Sequence, residues 1–287
     1  MEPAVVLDHV SKEFPVNLRG LRVRAVDDLS LTVPSGCVYA LLGPNGGGKS
    51  TTLKLILGLL QPGRGRVWVG GHPAGSLEAR RRIGFLPELP YFPRHLTGRE
   101  VVTHHARLGG LARRGLASRV EEMIATVNLA SAADRRIGTY SKGMLQRIGL
   151  AQALVHDPDL VILDEPAAGV DPVALAELTA LLERLKRAGK TIVLTTHQLA
   201  SVEGLCDRVA LLYRGRLVLE GAVAELLGET GAASDLRVSG LGAADEAALG
   251  AWAAGRGATV TALARERPRL EERLVTVLAR EAREAVR

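Results

Sequence analysis

The stretch LLGPNGGGKSTTLKLILGLL, residues 41–60, constrains this chain more than any other. An apolar run breaks into Gly43, Pro44, Asn45, Gly46, Gly47 and Gly48, and Lys49, Ser50 and Thr51 then open a segment that is apolar again at helical spacing. A loop that brings several backbone N–H groups against one ligand has no room for Cβ atoms, and glycine takes the positive φ values that such wrapping demands. Gly43, Gly46, Gly47 and Gly48 are expected to supply that freedom. A helix starting behind the loop turns its partial positive charge and unpaired N–H groups back into it, which makes an anion cradle. The spacing from Gly43 to Ser50 is G-x-x-x-x-G-K-[ST]. In that motif the lysine meets phosphate oxygens and the hydroxyl, here Ser50, ligates a Mg²⁺ bridging the terminal phosphates. The implied ligands are a nucleoside triphosphate and Mg²⁺.

Around this loop, strand-type and helix-type segments alternate, which implies an α/β fold with a mostly parallel core sheet. AVVLDHV and RAVDDLSLTV read as an early antiparallel β-layer, CVYALLG as the strand feeding the loop, and residues 51–60 as the helix after it. RVWVG, RRIGFLPE, LVIL and TIVLTT read as further strands, and RVALLYRG with RLVLEG as a strand pair. Residues 91–140, rich in arginine, histidine and glycine, read as a small helical insert without coiled-coil heptads. His104 and His105 diverge on its first helix and are expected to be solvated rather than ligating. A composition shift at GETGAAS divides residues 1–228, the large domain, from residues 229–287, a small α+β accessory domain. At 287 residues the chain suits such a division.

Only 3% of the residues are aromatic, too few for stacking on bases, so no nucleic acid is expected as partner despite the net charge of +6. Cys37 and Cys206 have no metal or redox spacing and read as buried residues of a reducing compartment. The start MEPAVVLDHV lacks the features of a signal peptide, and the longest apolar stretches fall short of a bilayer span. Any link to a membrane is expected to come through a partner.

LVILDEP ends a buried apolar strand on Asp164 and Glu165. Carboxylates there remain ionised only where something local requires it. Asp164 suits a contact to Mg²⁺, and Glu165 is placed to polarise a water that attacks the terminal phosphate.

With GPNGGGKST, YSKGMLQR, LVILDEP, AAGVD and TTH in that order, the chain resembles the nucleotide-binding subunit of an ABC transporter over about residues 4–225. The resemblance implies a P-loop NTPase fold and a head-to-tail homodimer enclosing two ATP molecules. Ser141 and Gly143 of one copy would touch the γ-phosphate held by the other. Asp171 would join the two sites, His197 would hold Glu165, the water and the γ-phosphate together, and Phe14 would stack on adenine. It further implies a separate transmembrane permease subunit and a cytoplasmic location, peripheral on the inner face of the cell membrane. Ser141 read alone is an N-cap, and Pro172 a helix-start residue.

Three departures stand out. Glu88 occupies a place where the family usually has glutamine, as an acceptor-only anion facing Mg²⁺ or water. Lys142 replaces a glycine of the usual LSGGQ, and Gly47 a frequent alanine. IGFLPELPYFPRHLTGRE, NLASAADRRIGTYSKGM and PRLEERL resemble the ATPase of the complex that matures the copper enzyme nitrous oxide reductase, and multidrug-export ATPases share the acidic residue. A soluble ABC-type ATPase acting on DNA or ribosomes is the alternative; that class usually has a long coiled-coil insertion or two cassettes in one chain, and neither is present in this sequence. A GTPase reading lacks the NKxD segment.

Overall fold

The computed structural model describes residues 2–15, 22–169, 171–197 and 204–227. The chain divides into two compact units, Met1–Val223 and Ala224–Arg287. The accessory domain expected over 229–287 lies outside the described residues, so the first unit is described here.

Two sheets build it. β1 (Val5–Pro15), β2 (Arg22–Val33), β4 (Arg64–Val69) and β5 (His72–Pro73) form the antiparallel layer, in the order β2-β1-β4-β5. β3 (Val38–Leu42), β6 (Ile83–Leu86), β7 (Leu160–Leu163), β8 (Thr191–Thr196), β9 (Arg208–Tyr213) and β10 (Arg216–Ala222) form the core sheet, ordered β10-β9-β3-β8-β7-β6. It is parallel from β9 through β6, and β10 pairs antiparallel with β9. Every residue of VYALL and LVIL is buried, as a strand covered on both faces requires. Between the two sheets lies one core, to which Val5, Leu29, Leu41, Leu53, Ile56, Leu160 and Val193 all contribute. Each such side chain contributes roughly 1.5–3 kcal/mol through its removal from water.

Six α-helices complete the unit as described: α1 (Lys49–Ile56), α2 (Leu77–Arg81), α3 (Gly98–Leu108), α4 (Arg113–Thr126), α5 (Lys142–Leu154) and α6 (Pro172–Arg187). α1 is shorter than the 51–60 expected from its apolar spacing. Gly58, at φ +65°, turns the chain where a Cβ would lie 2.2 Å from Gly75 Cα, and the N–H groups of Leu59 and Leu60 bend back to Lys54 O. α3 and α4 form the insert; α3 starts on a capping box in which Thr97 and Glu100 bond each other's backbone.

His105 on α3 departs from the expectation of a solvated pair. It is half-buried, with Nδ1 2.9 Å from Val101 O and its ring edge-on to Phe92, and burial pushes its pKa below the usual value. His156, just after α5, has Nε2 3.0 Å from Ile83 O and is likewise lowered by burial. His104 is exposed, as expected.

Candidate functional site

Because the core strands run parallel, the residues following β3, β7 and β8 come to one edge of the sheet, where open α/β folds place their ligands. The register sets Leu42 beside Thr196 and Leu163 beside Leu194. The loop 43–48, the pair Asp164 and Glu165, and His197 therefore meet there.

The loop is a backbone structure. A Cβ on Gly43 would lie 2.1 Å from Leu212 O, and one on Gly48 2.8 Å from Ala25 O. Gly43, Gly46 and Gly48 have φ values of +146°, +78° and +106°. Gly47 differs from the expectation that it adds freedom, since it is not among the positive-φ glycines. Space is what it provides: a Cβ there would stand 2.8 Å from Leu212 O and 2.9 Å from Pro44 O. Pro44, Asn45 and Gly46 form the exposed crest. Gly48 caps α1 without a side chain, so the first N–H groups of the helix face the loop. Ser50 is exposed and Thr51 half-buried in its first turn.

Lys49 is only 6% exposed. Its Nζ donates to Gly43 O at 2.7 Å and Pro44 O at 3.2 Å, and stands 3.7 Å from Glu165 Oε1. A buried ammonium among carbonyls inside a bare loop fits an incoming polyanion. The Ser50 hydroxyl and the Asp164 carboxylate are hard oxygen donors of the kind Mg²⁺ prefers beside phosphate and water.

Glu165 has a φ of +47°, which costs a non-glycine residue roughly 1–2 kcal/mol. Strain of this kind persists where the surroundings over-determine the backbone. Thr195 does so here: its hydroxyl accepts the Glu165 N–H at 2.9 Å and donates to Asp164 Oδ1 at 2.6 Å. His197 Nδ1 lies 2.9 Å from Glu165 Oε2, and because a carboxylate only accepts, Nδ1 carries the proton. Glu165 is thus held by His197 on one oxygen and approached by Lys49 on the other.

Thr195 lies within the TTH motif, which gave it no role of its own. Its signal was the hydroxyl pair that closes TIVLTT just before His197.

Glu88 is exposed two residues beyond β6, whose Leu86 O accepts from Asp164 N at 2.9 Å. Ser141 caps α5 by accepting from Met144 N at 3.3 Å, and Gly143 follows in the first turn. Among the described residues no hydrogen bond joins Ser141 or Gly143 to the phosphate loop of this chain. Asp171 caps α6 through Val173 N and Ala174 N, which hold its pKa below the usual carboxylate value. Phe14 lies half-buried on β1 opposite Val23, with Lys12 Nζ 5.6 Å from its ring centre.

The sequence profile of the ABC transporter family matches residues 26–168. An uncharacterised ABC transporter ATP-binding protein of Nostoc sp. is 43% identical over 209 residues, 72% of this chain and 62% of its own length. The chain thus spans about three fifths of that relative. Nod factor export ATP-binding protein I of Burkholderia lata is 39% identical over 215 residues, 72% of this chain and 71% of that protein. Among solved structures, a dimeric ATP-binding cassette in a post-hydrolysis state with ADP and Pi superposes with a TM-score of 0.71 at 25% identity, over 77% of this chain and 99% of that one.

Proposed function

The chain belongs to the family of ABC transporter ATP-binding proteins, and from that premise we propose that it hydrolyses ATP to drive a separate membrane permease. The observation that carries the reading is Glu165, its carboxylate held at 2.9 Å by His197 and standing 3.7 Å from the buried Lys49.

The triphosphate lies in the cradle from Gly43 to Gly48, and Lys49 exchanges its carbonyl partners for phosphate oxygens. Ser50 and Asp164 would hold Mg²⁺, which would offset phosphate charge. Glu165 orients a water and takes its proton as the oxygen attacks the γ-phosphorus; the bond to the bridging oxygen breaks and ADP leaves with phosphate. His197 keeps the carboxylate aimed. Two copies pair head to tail, so that Ser141 and Gly143 of the second copy bring the start of α5, with its remaining unpaired N–H groups, to the γ-phosphate. Asp171 lies at the junction, and Phe14 supplies a face for adenine. The dimeric ADP-bound cassette supports this arrangement.

Glu88 and the insert meet the permease, so the subunit sits at the inner face of the membrane. In keeping with a separate permease, no helix among the described residues is long and apolar enough to cross a membrane. Of the two subfamily likenesses, the name of the Burkholderia lata relative favours export over copper processing.

Glu165→Gln tests the chemistry. Steady-state turnover falls at least about a hundredfold while calorimetry finds ATP still bound. Turnover at the parent rate removes Glu165 as the base.

A further inference from the structure

Two side chains one turn apart on α5 hold the strand of chain that follows Glu165. Lys142 Nζ donates to Ala168 O at 3.1 Å. The Gln146 amide Nε2 donates to Pro166 O, and Gln146 is 9% exposed. Positions i and i+4 share a helix face, so both reach the same segment. That segment is itself a turn, closed by Ala168 N donating to Glu165 O at 3.0 Å. A continuous series of bonds therefore runs from Ser141, which caps α5, through Lys142 and Ala168 to the backbone of Glu165. A residue held at φ +47° keeps its place only as long as its neighbours do, so small shifts along this series reach the carboxylate.

We infer that Lys142 and Gln146 are positioning residues that tie the start of α5 to the base of the same subunit. The inference rests on the dimeric reading above. There, Ser141 of one subunit touches the triphosphate held by the second, so occupancy of the second subunit's site adjusts Glu165 in the first. The device needs a side chain at position 142, because a glycine there has none to reach Ala168. Gly169 is fitted to it: its φ is +67°, and a Cβ there would lie 2.8 Å from Lys142 Nζ.

The test measures ATPase rate against ATP concentration in the full chain. Lys142 is exposed, so its replacement leaves the core untouched. In Lys142→Met, kcat falls about three- to tenfold, the scale of one lost hydrogen bond, and the Hill coefficient drops towards one. The affinity for a non-hydrolysable ATP analogue, measured by calorimetry at low protein concentration, stays at the parent value. Lys142→Arg, which can still donate to Ala168 O, restores both rate and cooperativity, and Gln146→Leu reproduces the loss. A Lys142→Met protein with the parent kcat and Hill coefficient, or a Lys142→Arg protein as defective as the methionine variant, overturns the inference. Sedimentation of the parent with Mg²⁺ and the non-hydrolysable analogue separates the two readings. A parent that stays monomeric overturns the dimer and the inter-site coupling with it, whereas a dimeric parent with unaffected variants overturns the coupling alone.

Discussion

The phosphate loop and the segment from Asp164 to Gly169 meet at the same edge of the sheet, yet they are held in opposite ways. The loop is fixed by backbone against backbone: Gly43 and Gly47 lie under Leu212 O, Gly48 under Ala25 O, and Gly215 N donates to Gly47 O at 3.0 Å. The acidic segment is fixed by side chains from other elements, namely Thr195, His197, Gln146 and Lys142. Backbone contacts at van der Waals limits leave no intermediate position. Side-chain hydrogen bonds contribute about 0.5–1.5 kcal/mol each and can be exchanged. The binding half is therefore stiff and the chemical half adjustable, a division that suits the proposed motor, which would grip its nucleotide before it commits to cleaving it.

The comparison breaks most severely at Gly43. A methyl group 2.1 Å from Leu212 O, at a φ of +146°, has nowhere to go. Gly43→Ala should abolish triphosphate binding and destabilise the fold by roughly 3 kcal/mol or more, read from urea unfolding. A mild effect would mean that the loop is as pliable as the acidic segment.

Next comes Thr195→Val, which keeps the shape and removes the hydroxyl. The Glu165 N–H loses its acceptor and Asp164 its donor, so stability should fall by about 1–3 kcal/mol and kcat by about tenfold or more. Nucleotide affinity should stay near the parent value. An equal loss of affinity would erase the distinction between the two halves.

The smallest effect lies away from the site. His105 and His156 are neutral in the fold because burial lowers their pKa values from 6.5, so the unfolded chain binds protons more readily. Their contribution is fully present above about pH 6.5 and declines as pH falls below it. Melting temperature measured from pH 7.5 down to about 5.5 should drop in the parent and drop less in His156→Gln, whose amide can still donate to Ile83 O. A variant profile parallel to the parent's would assign the acid sensitivity elsewhere.

The stiff half was the more legible in sequence. The strand Val38–Leu42, the glycine loop and the start of α1 are neighbours along the chain, so their spacing states their geometry. Ser141 and Pro172 showed as helix starts for the same reason. What stayed hidden depends on partners remote in sequence. Gly47 is crowded by Leu212, α1 is cut short where Gly58 meets Gly75, and Thr195 reaches Asp164 only because β7 and β8 lie side by side. His105 looked solvated because nothing in its own helix announces Phe92.

The most direct test of a base acting at a site shared by two copies is sedimentation of Glu165→Gln with and without Mg-ATP. The account predicts that the 30.5 kDa chain pairs into a stable dimer only when ATP is present. A variant that binds ATP and remains a monomer would contradict it.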